Sequence, residues 1–291
     1  MSFSSEVKQE LEKHISPARH CQIAELAAIL HFCGQYGRAS DARYTIGFQT
    51  ENETIIRKGF TLLKKTFNIN TDNWISEEKM QELNQKIGDI EKPVSSLLLK
   101  LPCCRRAFLR GAFLSVGSIS DPSKGYHLEF VCTRQDKAEQ LCEVMRGFDI
   151  EAKIVKRKKY SVVYLKEGAG IVDLLNVCEA HVSLMNFENL RILKDVRNSI
   201  NRRVNCEAAN INKTVCAASR QIHDIEFLRE HYGFERLPDA LAQMAEVRLE
   251  NPDVALKELG ELLDPPVGKS GVNHRLRKLS ELAQTIRNQK S

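Results

Sequence analysis

The sequence predicts an α+β protein in which a duplicated α/β domain is joined by a helical linker to an all-α C-terminal domain. Two segments about 82 residues apart repeat the same order of helix, strand and helix. A polar, amphipathic stretch follows, and the remaining chain shows only the apolar spacing of helices, interrupted by prolines. The predicted ranges are 1–185 for the α/β domain, with half-units of about 1–100 and 101–185, 186–222 for the linker, and 223–291 for the C-terminal domain.

Length and composition describe a protein with sizeable hydrophobic cores. A chain of 291 residues fits about two domains, and 42% of its residues are hydrophobic. It contains no run of about 20 apolar residues that could span a membrane, and its polar N-terminus lacks the apolar core of a signal peptide. We therefore expect a cytoplasmic protein. The net charge of +5 permits a nucleic-acid partner without requiring one.

The nine cysteines predict neither a disulfide framework nor a metal site. Their number is odd, and the sequence has no CxxC pair. Cys103 and Cys104 are adjacent, which suits neither a zinc knuckle nor an ordinary disulfide. The sequence also lacks a nucleophile–base pair and a phosphate-cradling glycine loop. It therefore predicts reduced cysteines, no metal, no cofactor and no catalytic residue.

Each half-unit begins with an apolar helix that ends in glycine. The first half-unit is predicted as helix 21–34, strand 44–49 and helix 53–65, and the second as helix 104–117, strand 126–132 and helix 135–146. A strand pair at 152–157 and 160–166 and a helix at 168–177 follow in the second half only. Small residues such as Ala28 and Gly111 would let the two glycine-ended helices pack closely at a pseudo-two-fold axis. The sheets would flank them as a saddle.

The segments LAAILHFCG (26–34) and LRGAFLSVG (109–117) resemble the nine-residue motif of the LAGLIDADG homing endonucleases. In that fold the eighth residue of the motif is an acid that binds the catalytic metal. Here those positions hold Cys33 and Val116, and neither side chain offers the oxygen that a hard divalent cation prefers. The resemblance therefore implies a degenerate domain without nuclease activity. Asp41 and Asp121, which follow the two helices, are interpreted as turn residues.

A saddle without its metal site can still contact DNA through basic residues. The 152–166 hairpin is rich in Lys and Arg and contains no acid. The candidate secondary DNA contacts in it are Lys156, Arg157, Lys158 and Lys159. A solvated turn that keeps a sheet edge soluble is the alternative. Arg105, Arg106 and Arg110 leave the same choice open, because they suit either a phosphate clamp or the polar end of a packed helix.

The stretch 186–220 has helical apolar spacing and an excess of basic residues. Its arginines add further candidates for secondary DNA contact, namely Arg197, Arg202 and Arg203. An ordinary amphipathic helix would show the same pattern. The stretch is polar but not rich in Gly or Ser, so we expect a partly stiff connector.

Residues 257–287 have the layout of a helix-turn-helix. A short apolar-striped helix that includes Leu262 would be capped by Asn251 or Asp253 and stopped by the two prolines at 265 and 266. Gly268 could take a positive φ in the turn, and Ser270 could cap the second helix. The buried face of that helix is predicted as Val272, Leu276, Leu279, Ala283 and Ile286.

The opposite face of this second helix is polar and basic. Lys and Arg neutralise phosphates, and Asn and Arg commonly read base edges, so this pattern predicts a DNA-binding helix. The predicted DNA-binding residues are Lys257, Lys269, Ser270, Asn273, His274, Arg275, Arg277 and Lys278. A helical hairpin that packs on its own domain with solvated charges is the alternative.

Taken together, a degenerate LAGLIDADG domain, a helical linker and a C-terminal helix-turn-helix resemble the WhiA family of bacterial DNA-binding proteins. The stretches 186–215, 256–263 and 269–283 carry this resemblance most closely. It implies a transcription factor on the nucleoid that acts in sporulation, cell division or chromosome segregation. Its implied partners are double-stranded DNA and, since the C-terminal domain of the family resembles a sigma-factor region, RNA polymerase or another regulator.

Two other functions remain as alternatives to this interpretation. In one, the chain is a protein-interaction scaffold that its C-terminal domain tethers to DNA. In the other, it is an active homing endonuclease, which Cys33 and Val116 argue against. The sequence does not determine the oligomeric state.

Overall fold

The computed structural model describes residues 2–38, 43–70 and 74–290 and divides the chain into two compact units, Met1–Val196 and Arg197–Ser291. Asp41 lies outside the described residues. The helices are α1 (Phe3–Lys13), α2 (Arg19–Cys33), α3 (Glu53–Phe67), α4 (Glu77–Ile87), α5 (Pro102–Val116), α6 (Gln135–Arg146), α7 (Gly168–Val177), α8 (His181–His231), α9 (Asp239–Glu250), α10 (Leu256–Glu261) and α11 (Lys269–Lys290). The strands are β1 (Gly34–Arg38), β2 (Tyr44–Phe48), β3 (Gly117–Ile119), β4 (Leu128–Cys132), β5 (Lys153–Arg157) and β6 (Tyr160–Leu165).

The predicted α+β class and the duplicated order of elements are confirmed. Within the part of the chain that the structure describes, every helix is too short or too polar to cross a membrane. The boundaries proposed from the sequence at 185/186 and 222/223 both fall inside α8, which is continuous over 51 residues. These boundaries stay predictions. Asp121 does lie in a turn, where its carboxylate accepts hydrogen bonds from the backbone N–H and the hydroxyl of Ser123.

A glycine joins each core helix directly to a strand that the sequence analysis missed. β1 begins at Gly34 and β3 at Gly117, each in extended conformation at the end of its helix. A Cβ on Gly34 would lie 2.5 Å from the carbonyl oxygen of Leu30, so a side chain does not fit at this junction. β1 pairs with β2 from Gly34↔Phe48, and β3 pairs with β4 from Gly117↔Phe130. The two half-units therefore repeat the same antiparallel register.

The half-units differ in the size of their sheets. The second half-unit has four strands in the order β3-β4-β6-β5, which confirms the predicted hairpin at 152–166. Among its described residues (2–38, 43–70 and 74–100), the first half-unit has a sheet of two strands, β1 and β2. A single bridge between Tyr44 and Ile75 adds two backbone hydrogen bonds of 3.0 Å there. In the first half-unit, α3 is followed by this bridge and by α4. In the second half-unit, the corresponding helix α6 is followed by the β5–β6 hairpin and by α7.

The core of the first unit is the contact between α2 and α5. Small residues on both helices are fully buried, including Ala27, Ala28 and Ala112. At Gly111 the backbones come so close that a Cβ would lie 2.5 Å from the carbonyl oxygen of Glu25. The close packing predicted from the small residues is therefore confirmed.

Charged side chains are buried beside this contact. Glu25 of α2 lies 3.1 Å from Lys58 of α3 and 3.1 Å from Arg110 of α5, and Arg110 also reaches Glu179 at 2.5 Å. Burial disfavours the charge of Arg110, but Glu25 and Glu179 outweigh it and raise the pKa of the guanidinium. Arg110 is only 1% exposed. It is thus not a phosphate clamp. Of the two roles that the sequence left open, the structure favours the packed helix, with Arg110 buried against two acids.

Lys58 extends the network to α1. Its ammonium donates to the backbone carbonyls of Leu11 at 3.0 Å and Glu12 at 3.3 Å, and also to that of His14. These carbonyls have no helical partner at the end of α1, so a buried cation satisfies them and matches the negative end of the helix dipole. One side chain therefore links α1 and α3 to the acid on α2.

The second unit buries one apolar face from each of four helices. Ile225 and Leu228 of α8 and Met244 of α9 belong to this core. The predicted apolar face of α11 is confirmed, because it consists of the buried residues Val272, Leu276, Leu279, Ala283 and Ile286. The apolar residues predicted at helical spacing in 186–204 do lie on α8. However, several of them, including Ile200 and Val204, are more than half exposed.

The predicted start of the short helix is wrong. α10 begins after Ala255, which has extended backbone angles, and neither Asn251 nor Asp253 caps it. The buried Arg248 side chain donates to the carbonyl of Val254 at 2.9 Å and holds the backbone just before the helix. Neither the spacing of apolar residues nor a capping residue signals this side-chain contact between residues six apart in the chain.

The turn between α10 and α11 also differs from the prediction. Gly268 has no positive φ, and Ser270 lies inside the first turn of α11, which begins at Lys269. Leu262 is 53% exposed because it follows the end of α10. The glycine that the turn requires is Gly260. Its carbonyl accepts a hydrogen bond from the N–H of Val267 at 2.9 Å, and a Cβ would lie 1.9 Å from the carbonyl oxygen of Val267.

We expect Arg110→Met to destabilise the first unit by about 3–5 kcal/mol, because the buried Glu25 loses a partner. Urea unfolding followed by the fluorescence of Trp74 measures this loss. Arg106→Met is the matched control one turn earlier, where the half-buried guanidinium lies over Phe148, and it should cost less than about 1 kcal/mol. Equal losses in both variants would contradict the role given to the ion pair.

We expect Gly260→Ala to destabilise the second unit by about 2 kcal/mol or more, because the new methyl group overlaps the Val267 carbonyl. Gly268→Ala in the same turn is the control. It meets open space and should change stability by no more than about 0.5 kcal/mol. Unfolding followed by circular dichroism compares the two variants, and similar midpoints would show that the turn tolerates a side chain at Gly260.

Candidate nucleic-acid interface

The exposed face of α11 carries the residues that the sequence predicted for DNA binding. The apolar face of this helix is buried in the core of the second unit, so the opposite face is left to solvent. The exposed members of the predicted set are Lys257, Lys269, Ser270, Asn273, His274, Arg277 and Lys278. Arg275 is half-buried at the edge of the apolar face. The structure therefore brings six of these side chains together on one face of α11 and places Lys257 on α10.

Arg277 lies near the middle of this face. Its Nε atom is 2.8 Å from a carboxylate oxygen of Glu281, one turn further along the helix. Both side chains are more than half exposed, so the pair contributes little to stability. A phosphate or a base edge can therefore compete for the Arg277 guanidinium without disturbing the core.

Arg287, in the last turns of α11, has a different role. Its guanidinium donates to Asp224 of α8 at 2.7 Å and lies 4.5 Å from the centre of the Phe227 ring. These contacts hold the end of α11 against α8. The basic residues of α11 thus fall into two groups. Those of the polar face, such as Arg277, are exposed, whereas Arg287 binds α8.

The basic residues of the β5–β6 hairpin are exposed but lie on different faces. Lys156 and Arg157 are neighbours on an edge strand, so their side chains leave it on opposite sides. Arg157 lies 3.1 Å from Glu129 of β4, and this carboxylate also contacts His127 at 3.0 Å. Lys158 and Lys159 form the turn. Of the four predicted contacts, three are therefore exposed lysines and one is an arginine that is already paired.

The arginines proposed in the linker lie in the exposed middle of α8. Arg197, Arg202 and Arg203 are all exposed. Arg203 pairs with Glu207 one turn later at 3.1 Å, and both side chains are largely exposed. These residues stay candidates for DNA contact, because a solvated helix presents the same charges.

The two degenerate motif positions lie at the ends of α2 and α5. The thiol of Cys33 is buried and donates to the carbonyl of Ile29 at 3.2 Å. Burial raises its pKa, while Ser115 and Lys8 oppose that shift. Burial in turn lowers the pKa of Lys8 to about 8. The groups around Cys33 are thus a neutral thiol, a hydroxyl and an ammonium ion. They offer no carboxylate, the ligand that a hard divalent metal prefers.

His31, two residues before the end of α2, does not replace the missing acids. Its side chain is buried, and its Nδ1 atom lies 2.7 Å from the carbonyl oxygen of Ala27. Burial lowers the pKa of its imidazole to about 4, so the ring is neutral near pH 7. It is a core histidine of α2.

Comparison with known families covers both units. The model of the WhiA N-terminal LAGLIDADG-like domain matches residues 19–100, and that of the WhiA LAGLIDADG-like domain matches residues 105–197. The model of the WhiA C-terminal HTH domain matches residues 200–283. This last range includes α10 and most of α11.

Similar proteins extend over the whole chain. A protein of Lachnoclostridium phytofermentans named "Probable cell division protein WhiA" is 51% identical over 312 residues, which cover 99% of this chain and 100% of that protein. A protein of Alkaliphilus oremlandii with the same name is 46% identical over 313 residues, with 98% of each chain covered. The crystal structure of full-length DUF199/WhiA from Thermatoga maritima aligns with a TM-score of 0.59 and 26% identity, over 98% of this chain and 99% of that one. Because these matches run through both half-units, the long helix and the helix-turn-helix, the chain belongs to the WhiA family.

Proposed function

We propose that this chain is a sequence-specific, non-cutting DNA-binding protein that acts in cell division through the control of transcription. The observation that carries the proposal is the two-faced α11. Its apolar face completes the core of the second unit, and its other face presents an unbroken set of exposed hydrogen-bonding and basic side chains. A helix of this kind after a tight turn fits the major groove of duplex DNA.

Different residues of this face would have different tasks. Asn273 and Arg277 have side chains that form paired hydrogen bonds with adenine and guanine edges in the major groove. Lys269 and Lys278 are suited to phosphates, as is Lys257 on α10. Arg275 is half-buried and would act at the border of the interface. All these residues lie inside the range matched by the WhiA C-terminal HTH domain.

The biological part of the proposal rests on the relatives. Proteins that match nearly the full chain carry the name "Probable cell division protein WhiA". We propose the same process for this chain, with the nucleoid as its place of action. An effect on chromosome segregation or sporulation would depend on which genes it controls. The proposed protein partner is RNA polymerase or another regulator.

The proposed absence of cleavage rests on the donors at the degenerate motif positions. Cys33 and Val116 stand where acids would bind the catalytic metal of a LAGLIDADG nuclease. Lys8 places a positive charge near Cys33, which opposes the approach of a divalent cation. Incubation of the pure protein with plasmid and Mg²⁺ tests this proposal, and conversion of supercoiled plasmid to nicked or linear DNA would refute it.

We expect Arg277→Ala to weaken binding to the preferred DNA site by about 1–3 kcal/mol, because a base or phosphate contact is lost. Stability should change by less than about 0.5 kcal/mol, since the pair with Glu281 is exposed. Arg229→Ala removes an exposed arginine from α8 in the same unit and serves as the control. Titration of labelled duplex at fixed salt compares the variants, and equal affinity for wild type and Arg277→Ala would reject α11 as the reading helix.

We expect the triple variant Lys156→Gln, Lys158→Asn, Lys159→Gln to bind all duplexes more weakly. The slope of log affinity against log salt should become shallower by about 1 to 3, since each lost phosphate contact removes about 0.9. Asn at position 158 suits the positive φ of 54° found there.

Two controls separate this effect from a general loss of charge. Arg157→Gln should change the slope little, because Arg157 is already paired with Glu129. Lys64→Gln with Lys65→Gln removes two exposed charges from α3. An unchanged slope in the triple variant would place the hairpin away from DNA and favour the protein-interaction scaffold for this domain.

A further inference from the structure

The first turns of the two core helices bring four soft metal ligands together. His20 and Cys21 lie at the start of α2, and Cys103 and Cys104 lie at the start of α5. One imidazole nitrogen of His20 and the three Sγ atoms all lie within 4.8 Å of one another. Each half-unit contributes two adjacent ligands, so the group spans the pseudo-two-fold contact between α2 and α5.

The spacing of these atoms is close to that of a tetrahedral zinc site. The Nδ1 atom of His20 lies 3.2 Å from the Sγ atom of Cys104 and 3.3 Å from that of Cys21. A tetrahedron with Zn–S of about 2.3 Å and Zn–N of about 2.0 Å separates its ligands by roughly 3.5–3.8 Å. Side-chain shifts of under about 1 Å would therefore bring the ligand atoms to these separations.

The charge of the surroundings suits three thiolates around a dication. Such a centre carries a net charge of −1, and the N-termini of α2 and α5 place the positive ends of two helix dipoles beside it. The two arginines next to the ligands in sequence, Arg19 and Arg105, donate to backbone carbonyls and do not compete with a metal ion for the thiolates. Arg19 donates to the carbonyl of Thr66 at 2.6 Å, and Arg105 donates to the carbonyl of Leu99 at 2.9 Å.

Two of the four candidate ligands, Cys21 and Cys104, are shielded from solvent, as ligands of a structural metal site commonly are. Cys21 and Cys104 are buried and pack on Ala24 and Ala107 one turn further along the helices, whereas His20 and Cys103 are exposed. Burial and the neighbouring cysteines raise the pKa of the Cys104 thiol to about 12 and also raise that of Cys21. Neutral thiols in such a cluster bond weakly, and a bound cation would remove their protons.

We propose that Cys21, Cys103, Cys104 and the Nδ1 atom of His20 bind one Zn²⁺ ion in a closed, structural site. Binding would form three Zn–S bonds and one Zn–N bond and release the three thiol protons to solvent. Four protein ligands leave no open position for substrate, so the ion would serve to clamp the two half-units together at the start of their core helices.

The experiment uses the reduced full-length protein with Zn²⁺ and Co²⁺. We expect one equivalent of either metal to bind, and the cobalt complex to show the visible absorption of a tetrahedral site together with thiolate charge-transfer bands. Titration against a chromophoric chelator gives the zinc affinity. Zinc should also raise the thermal midpoint of the wild-type protein, because the four ligands meet only in the folded state and bind the ion more tightly there.

Cys103→Ser and His20→Ala test the ligand assignment at exposed positions, where substitution leaves the core intact. Each should lower zinc affinity by more than about 100-fold, since even the partners of metal ligands contribute 10- to 100-fold. Cys206→Ser with Cys216→Ser is the control, because both thiols are exposed on α8. That double variant should bind zinc like the wild type.

Three results would overturn the proposal. The first is a reduced wild-type protein that takes up no zinc at micromolar concentration. The second is Cys103→Ser or His20→Ala with wild-type affinity and a wild-type cobalt spectrum. The third is protein purified without reductant in which Cys103 is joined to Cys21 or Cys104 as a disulfide and which, once reduced, binds no metal. This last result would identify the cluster as a thiol–disulfide pair.

Discussion

The backbone contact between α2 and α5 is the constraint on which the first unit depends. Gly111 lets α5 approach so closely that the carbonyl of Glu25 occupies the place of a side chain. Glu25 is then buried, and a buried carboxylate is tolerated only with partners, which Lys58 and Arg110 supply. Through Lys58 the same network satisfies the last carbonyls of α1. A close helix contact thus determines which charges must be inside, and those charges connect four helices.

The ends of the same two helices show that the fold is retained although the acids of the nine-residue motif are replaced. Gly34 and Gly117 join helix to strand in the same register in both half-units, so the scaffold of a LAGLIDADG domain is retained. The residues just before them, Cys33 and Val116, no longer offer carboxylates. Packing depends on small side chains and backbone geometry, whereas metal binding depends on the donor atoms at two positions. The two properties can therefore change independently.

Arginines illustrate why charge alone does not identify an interface. Arg110 is buried between two acids, Arg287 anchors α11 to α8, and Arg277 stands on an open face with a weakly held partner. In the sequence all three are basic residues on amphipathic helices. Their roles differ because of what the tertiary structure places opposite each guanidinium group.

The elements with local signals follow from the order of residues alone. Apolar periodicity gave the bounds of α6 and α7, the hairpin of β5 and β6 and the buried face of α11, because side chains repeat every 3.6 residues in a helix and every 2 in a strand. The polar face of α11 followed from the same pattern. The burial of Arg110, the start of α10 beside Arg248, and the need for glycine at position 260 became evident only from the folded chain. Folding also brought His20 and Cys21 to Cys103 and Cys104, more than 80 residues away. Some of these features are contacts between distant segments, and others join residues six or seven positions apart. In both cases helical or strand periodicity does not encode which atoms meet.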